Sequence, residues 1–404
     1  MSTLNAGELI LMTVSGRDRP GITSGLTGVL ADQGVKILDI SQAVIHRLLS
    51  LSLLYEVRSS GQEKLVQKEL QAFATQMDLS IECQPWTPAP AESATASAHH
   101  YAITLIAEEL SAQALHLVTQ GVAKFGLNID SIKRLSEGQF GCVEMVVSQP
   151  ASCTGDLKIL KKELLAIAKT QGVDIALQAE GLFRRAKRLV VMDMDSTLIQ
   201  SEVIDELARE KGVYDEVAAI TAAAMNGQMD YDESLRRRCA KLKGLGSADL
   251  ERVFARIELT PGAADLVRVL KRLGYKIAIL SGGFSFVADK LRDQLGIDFA
   301  YANLLEMKDG AVTGEVRPPI VNAQRKADLL DVLAQQERVD LDQVIAIGDG
   351  ANDLLMLAKA GLGIAFNAKP AVREQADTAL SQKNMRSILY LLGLSGRDIA
   401  RVMH

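Results

Sequence analysis

Asp193 and Asp195 stand one residue apart after the apolar run Leu189-Val190-Val191-Met192. That run reads as a buried parallel strand. Side chains alternate along an extended segment, so the two carboxylates begin on one face. Carboxylates aimed at one spot repel, and such a pair implies a cation between them or a shared proton. Two further apolar runs end in polar groups. Residues 275–280 lead into Ser281-Gly282-Gly283, and residues 343–347 lead into Gly348-Asp349-Gly350-Ala351-Asn352-Asp353. Lys326 lies between these two motifs, in a helical stretch over 323–336. Strands that alternate with helices form a parallel sheet, and the carboxyl ends of its strands gather on one edge. The acids, the hydroxyl, the lysine and the glycine N–H groups are therefore expected together.

The elements that position these groups follow from periodicity. Residues 180–404 read as one doubly wound, Rossmann-like α/β region. A helical stretch over 203–257 interrupts it after the first strand. It is too long and too helical for a loop, and is expected to be a cap over the site, about 200–259. Met225 and the basic cluster Arg236-Arg237-Arg238 lie within it. Residues 299–316, with Lys308-Asp309-Gly310 at the tip, read as a hairpin. Short strands are expected at 362–366 and 378–380. An amphipathic helix over 385–392 is expected to pack on the core.

The first 179 residues carry a different pattern. Strand, helix, two strands, helix and strand succeed one another over 9–83, the βαββαβ order of a ferredoxin-like α+β fold. Residues 85–99 are rich in Pro, Ala and Ser and read as a linker. The pattern then restarts. Gly126 to Ile132 echoes Gly34 to Ile40 at an offset of 126 − 34 = 92. The domains are therefore placed at 1–84, 100–179 and 180–404. In the first copy Asp18-Arg19-Pro20-Gly21 forms a strand-to-helix loop whose glycine exposes backbone N–H groups suited to a carboxylate. At offset 92 the second copy has Leu110, Ser111, Ala112 and Gln113, so its own loop lacks that pattern. Asn128 is a candidate contribution from the second copy.

Composition excludes several classes. The net charge is −5 and aromatic residues are 4%. Neither a phosphate-neutralising surface nor a stacking platform for nucleic acid is expected. No pair among Cys83, Cys142, Cys153 and Cys239 has the Cys-x-x-Cys spacing of a zinc or redox site. They read as reduced thiols of a cytoplasmic protein. The five histidines lie outside the Asp-rich segment apart from the terminal His404, so histidine-based catalysis is not expected. No apolar run is long enough to span a bilayer, and the N-terminal residues lack the pattern of a signal peptide.

Asp193-Met194-Asp195-Ser196-Thr197, Ser281-Gly282-Gly283, Lys326 and Gly348-Asp349-Gly350-Ala351-Asn352-Asp353, in that order and with a cap-sized gap after the first, resemble the haloacid dehalogenase superfamily. The two N-terminal copies resemble ACT domains, which bind amino acids and often pair across a dimer. The first resemblance implies an aspartate-nucleophile phosphatase. Asp193 would attack phosphorus, and Asp195 would act as general acid and then base. Mg²⁺ would be held by Asp193, Asp349 and the backbone carbonyl of Asp195, with Asp353 orienting the metal's surroundings. Ser281, Gly282 and Lys326 would hold the phosphoryl oxygens. Asn352 would contact phosphate, cap the helix that follows, or do both. Glu202, nine residues past Asp193, and Arg238 extend the likeness to the phosphoserine phosphatase pattern. An acid suits a substrate ammonium and a guanidinium its carboxylate. Met225 and Phe284 would cover the short aliphatic part. O-phospho-L-serine is then the expected substrate, L-serine the expected regulatory ligand, and a homodimer through the ACT modules the expected assembly. Two alternatives remain at this level: a phosphatase of another small phosphorylated metabolite, and an amino-acid sensor carrying an inactive phosphatase fold.

Overall fold

The computed structural model describes residues 8–87, 99–136, 140–150, 156–376 and 378–403. Cys153, His404 and most of the expected linker lie outside the described residues. The chain divides into two compact units, Met1–Ala96 and Ser97–His404.

In the first unit, β1 (Glu8–Arg17), α1 (Ile22–Asp32), β2 (Lys36–Ile45), β3 (Leu48–Val57), α2 (Ser60–Met77) and β4 (Leu79–Pro85) take the expected βαββαβ order. The sheet order is β2-β3-β1-β4, with every neighbour antiparallel. Alternate residues of β1 and β3, among them Ile10, Met12, Leu51 and Leu53, pack against Leu26, Leu30, Val66 and Leu70 of the two helices. That is the period of a sheet with one covered face. β2 is an edge strand and is exposed along its whole length.

The second unit opens with the repeat: β5 (His99–Ala107), α3 (Ala112–Lys124), β6 (Asn128–Arg134), β7 (Gly141–Gln149), α4 (Leu157–Gln171) and β8 (Asp174–Ala179). Its sheet order, β6-β7-β5-β8, repeats the first. The structure corrects the register at the strand-to-helix loop. The residues preceding the first helices are Gly21 and Ser111, an offset of 111 − 21 = 90. Asp18-Arg19-Pro20-Gly21 therefore corresponds to Glu108-Glu109-Leu110-Ser111. The extra two residues belong to α3, which has 13 residues against 11 in α1. Gln113, which an offset of 92 pairs with Gly21, is inside the helix.

The rest of this unit contains α5 (Leu182–Arg185), β9 (Leu189–Met192), the cap helices α6 (Val203–Lys211), α7 (Tyr214–Met225), α8 (Tyr231–Lys241) and α9 (Ser247–Arg256), and then α10 (Ala263–Arg272). β10 (Lys276–Phe284), α11 (Ser285–Leu295) and the hairpin β11 (Phe299–Lys308) and β12 (Ala311–Arg317) follow. α12 (Ala323–Gln336), β13 (Val344–Gly348), α13 (Leu354–Lys359), β14 (Leu362–Phe366), α14 (Pro370–Gln375) and β15 (Thr378–Leu380) complete the sheet. Its order is β12-β11-β10-β9-β13-β14-β15, parallel except for β12. β9 is central and buried at all four residues. Val190 and Met192 face one apolar layer and Leu189 and Val191 the other, as both-face burial requires.

The C-terminal helix is shorter than expected: α15 (Ser387–Leu391), followed by an additional α16 (Gly396–Met403). Gly393, at φ 75°, takes the left-handed turn between them. Ile388, Leu389 and Leu391 are buried in the core, as the apolar pattern required. That core also takes Ile106, Leu135, Cys142 and Ala176 from the repeat. The repeat is fastened to the sheet edge by polar contacts too. The buried Asp174 carboxylate accepts from Ser381 N at 2.8 Å, Ser381 Oγ at 2.6 Å and Gln382 N at 3.2 Å. Arg184 of α5 pairs with Glu144 and, at 2.6 Å, with Glu180.

Candidate active site

The three polar strand ends meet. Asp193 N donates to Ile347 O, so the ladder between β9 and β13 continues one residue past β9. The chain then turns sharply. Ser196 takes φ 56°, a conformation that costs a residue with a Cβ on the order of 1 kcal/mol. Asp193 Oδ1 accepts from Met194 N at 2.7 Å and pairs with Lys326 Nζ at 2.8 Å. That leaves Oδ2 as the oxygen these two donors do not engage. Lys326 is fully buried and also donates to Asp353 Oδ1 at 2.7 Å. Burial alone would lower the Lys326 ammonium, but Asp193 and Asp353 outweigh it and hold the pKa above its usual range.

Asp353 is itself fully buried, and its Oδ2 accepts from Asp349 N at 3.2 Å and Gly350 N at 3.0 Å. Its carboxylate therefore satisfies the turn that opens α13. The cap expected from the Asn352 amide is not found: Asp353 closes the short turn before α13, and α13 starts without a side-chain cap. A Cβ on Gly348 would lie 2.4 Å from this carboxylate, so the close approach requires glycine. Asp349 is held from the other side by Thr197 Oγ1, which donates to its Oδ1 at 2.9 Å. Thr197 O in turn accepts from Thr260 Oγ1 at 2.6 Å.

Asp195 Oδ1 accepts at 3.0 Å from Val203 N, the first amide of the cap helix α6. The partial positive charge of that helix terminus faces the carboxyl group. Its Oδ2 lies 3.5 Å from Ser281 Oγ. Burial, reinforced by Glu202, pushes the Asp195 carboxyl up to about 8. Burial also raises Asp193 well above the carboxylate range and, with Asp353, brings Asp349 up to about 6. One oxygen each of Asp193, Asp349 and Asp353 lies within 4.8 Å of the others. An all-oxygen set of mutually repelling carboxylates fits a hard divalent cation, whose charge reverses these upward shifts.

Residues around this cluster divide by exposure. Ser281 is fully buried, and its Oγ accepts from Gly283 N at 2.8 Å. A Cβ on Gly283 would meet Asp195 Oδ2 at 2.2 Å. Glu202 is exposed and accepts from Ser196 Oγ at 2.7 Å. Arg236 and Arg237 are exposed on α8, whereas Arg238 is half-buried. The basic run is thus not one uniformly solvated face. Met225 is 68% exposed at the end of α7, and Phe284 is buried with its ring stacked beside Phe286. Asn352 is half-buried.

The structure adds Thr197, Thr260, Tyr231 and Asn303. Thr197 closes the Asp193-Met194-Asp195-Ser196-Thr197 motif. The other three act across long sequence separations, and a lone Tyr, Thr or Asn gives no periodic signal.

In the first unit Asp18, Arg19, Pro20 and Gly21 are all exposed. Gly21 precedes α1 at φ 94° with no side-chain cap. Ser111, its counterpart, caps α3 by accepting from Ala114 N at 3.1 Å. Asn128 Nδ2 donates to Asp130 Oδ1 at 2.9 Å. Among the described residues no helix is long and apolar enough to cross a membrane.

Family models match three stretches: a haloacid dehalogenase-like hydrolase over residues 187–361, and ACT domains over 8–84 and 97–178. A phosphoserine phosphatase of Streptomyces coelicolor is 43% identical over 390 residues, covering 96% of this chain and 93% of that protein. Phosphoserine phosphatase SerB2 of Mycobacterium tuberculosis is 41% identical over 393 residues, covering 96% and 94%. Among solved structures, a haloacid dehalogenase family hydrolase of Salmonella enterica serovar Typhi aligns at TM-score 0.64 and 31% identity, over 72% of this chain and 98% of that one. A probable phosphoserine phosphatase from Vibrio cholerae, unliganded, aligns at TM-score 0.58 and 35% identity, over 75% and 88%.

Proposed function

Since the chain belongs to the phosphoserine phosphatase family of haloacid dehalogenase-like hydrolases, we propose that it hydrolyses O-phospho-L-serine to L-serine and phosphate, the last step of serine synthesis, in the cytoplasm. The observation that carries the chemistry is the buried Lys326, held between Asp193 and Asp353, with Asp193 Oδ2 outside that pairing.

Asp193 Oδ2 attacks phosphorus while the bond to the serine oxygen breaks. Asp195, whose carboxyl burial raises, gives its proton to that departing oxygen. As a carboxylate it then takes a proton from water, whose oxygen attacks the aspartyl-phosphate. The Asp193–phosphorus bond breaks and phosphate leaves. Lys326, the Ser281 hydroxyl and the backbone N–H of Gly282 hold the phosphoryl oxygens, with Gly283 and the Asn352 amide beside them. Asp193, Asp349 and the Asp195 carbonyl would hold Mg²⁺, and Asp353 would keep Lys326 and the Asp349 loop in place. When bound, the ion offsets repulsion between the carboxylates and the phosphoryl oxygens.

Glu202 takes the substrate ammonium and Arg238 its carboxylate, with Met225 and Phe284 toward the aliphatic part. The support for Arg238 is its partial burial beside two exposed arginines. Steady-state kinetics on phosphoserine and on glycerol phosphate test this reading. Arg238→Ala is expected to lower kcat/KM by about a hundredfold or more on phosphoserine, as loss of a charge-assisted bidentate contact does, and far less on glycerol phosphate. Equal losses would point to another phosphorylated substrate. A chelator is expected to abolish turnover, and added Mg²⁺ to restore it.

The first ACT module is proposed to bind L-serine at Asp18-Arg19-Pro20-Gly21, where an uncapped, exposed helix start leaves backbone N–H groups for a carboxylate. Asn128, committed to Asp130, serves less directly. The edge strand β2 exposes Ile37, Leu38, Ile40, Val44 and Ile45, which supports pairing with a second copy. Serine titration followed by calorimetry and by activity is expected to show binding that Asp18→Ala weakens. Unchanged binding and unchanged response in that variant would rule the loop out.

A further inference from the structure

Strand β10 does not run smoothly past its neighbour. Leu280 faces Tyr301 and Phe284 faces Asn303, so four steps on β10 oppose two on β11. The bulge falls on Ser281-Gly282-Gly283 and takes that backbone out of the ladder, so its polar groups need other partners. The Gly282 carbonyl finds two. Asn303 Nδ2 donates to it at 2.8 Å and Tyr231 Oη at 3.1 Å. Asn303 is fully buried, and its Oδ1 accepts from Val321 N at 2.8 Å. Both ends of the amide are thereby used, which fixes its orientation.

The carbonyl of Gly282 and the N–H of Gly283 belong to one planar peptide. Holding the oxygen therefore aims the N–H, which donates to Ser281 Oγ at 2.8 Å. The hydroxyl so held lies 3.5 Å from Asp195 Oδ2. One connected path runs from the cap through Tyr231, the 282–283 peptide and Ser281 to Asp195. The turn is fitted to its partner: a Cβ on Gly282 would lie 2.2 Å from Tyr231 Oη. Tyr231 is the first residue of α8, and Arg238 follows seven residues later, two turns along the same face. Burial raises the Tyr231 phenol to about 12, so it remains a donor throughout the neutral range.

We propose that Tyr231 and Asn303 are positioning residues for the Ser281 hydroxyl, and that the Tyr231 hydroxyl latches the cap onto the phosphate-holding turn. Because α8 carries both Tyr231 and Arg238, seating Arg238 on the substrate and seating Tyr231 on Gly282 are one movement. The latch thus ties recognition of the amino-acid part to the grip on the phosphoryl group. This inference rests on the proposed phosphatase chemistry and deepens it.

A double-mutant cycle on phosphoserine tests the latch, using Tyr231→Phe, Ser281→Ala and both together, with kcat, KM and the thermal midpoint of each full-length variant. Tyr231→Phe removes one oxygen and keeps the ring. It is expected to lower kcat about tenfold, because the hydroxyl that must meet the phosphoryl group is misplaced, while KM stays within about twofold. In the Ser281→Ala background the same change is expected to cost less than about twofold, since the two residues act through one path. Losses that multiply, or a Tyr231→Phe effect confined to KM, would overturn the latch. Failure of the wild-type enzyme to turn over phosphoserine would instead overturn the functional reading on which it rests.

Discussion

Two clusters of buried charge lie in the second unit, and they are balanced in opposite ways. At the junction between the repeat and the core, Arg184 meets Glu144 and Glu180, and the Asp174 carboxylate meets three donors from Ser381 and Gln382. The protein itself supplies a partner for each of these side chains, although burial still raises the Asp174 carboxyl and the buried Arg184 Nε has no hydrogen-bond partner. At the carboxyl ends of the strands, Asp193, Asp195, Asp349 and Asp353 surround the single ammonium of Lys326. Several of those carboxyls are pushed upward by burial and by one another. A cluster whose partners all come from the chain serves to hold two domains in register. A cluster left short of positive charge is arranged for something that arrives, a cation and a phosphoryl group that share it.

The sharpest way to break that contrast is to neutralise one charge at each place and compare the direction of the change in stability. Asp193→Asn is expected to abolish turnover, by about a thousandfold or more, and to eliminate the phosphoenzyme trapped by acid quenching. Its effect on stability should have the opposite sign to its effect on activity. The Asp193 carboxyl is raised in the folded state, so the charged form is disfavoured there relative to the unfolded chain. The folded state is thus favoured at pH values below the unfolded pKa, and that advantage is lost as pH rises through the folded value. At neutral pH, with no divalent cation, the asparagine variant is expected to unfold at a higher temperature than wild type. Mg²⁺ should then raise the wild-type midpoint by more than that of the variant. Calorimetry with and without the ion measures both. A metal-free variant less stable than wild type would mean that Lys326 already balances the site.

How much of this was readable beforehand depends on whether a feature is periodic or assembled. β9, α12, β14 and β15 fall where apolar period and length placed them, because a strand buried on both faces leaves an unbroken run. The motif residues were legible because chemistry fixes their types and the parallel sheet fixes their meeting place. The bulge at Ser281-Gly282-Gly283 was read as the end of a strand, since glycines ordinarily punctuate. The strand continues to Phe284 because Asn303 and Tyr231 take up the displaced carbonyl. Those partners are 21 and 51 residues away in sequence, and no local pattern announces them. An offset of 92 misplaces the loop of the second ACT copy by two residues for a similar reason. The repeated Gly-x-x-Ile pattern follows the helix, and the added length of α3 lies before it.

The junction supplies the other half of the contrast, with a smaller expected effect. Arg184 has 2% of its side chain exposed and Glu144 has 8%. Removing the arginine leaves Glu144 without a counter-charge in a place water hardly reaches, while Glu180 keeps Arg185 at 3.2 Å. Arg184→Met is therefore expected to destabilise the second unit by ~3–5 kcal/mol, the range seen when one partner of a buried pair is deleted. Urea denaturation measures it. Arg184 lies outside the strand-end cluster, so kcat per folded enzyme should stay near wild type at temperatures below the unfolding range. Replacing Arg184 and Glu144 together, by Met and Leu, should recover much of the loss, because no buried charge is then stranded at that position. A double variant as unstable as Arg184→Met alone would show that Glu180, rather than Glu144, carries the penalty. Stability unchanged in Arg184→Met would show that solvent reaches the junction and already screens its charges, and the contrast between the two clusters would then not hold.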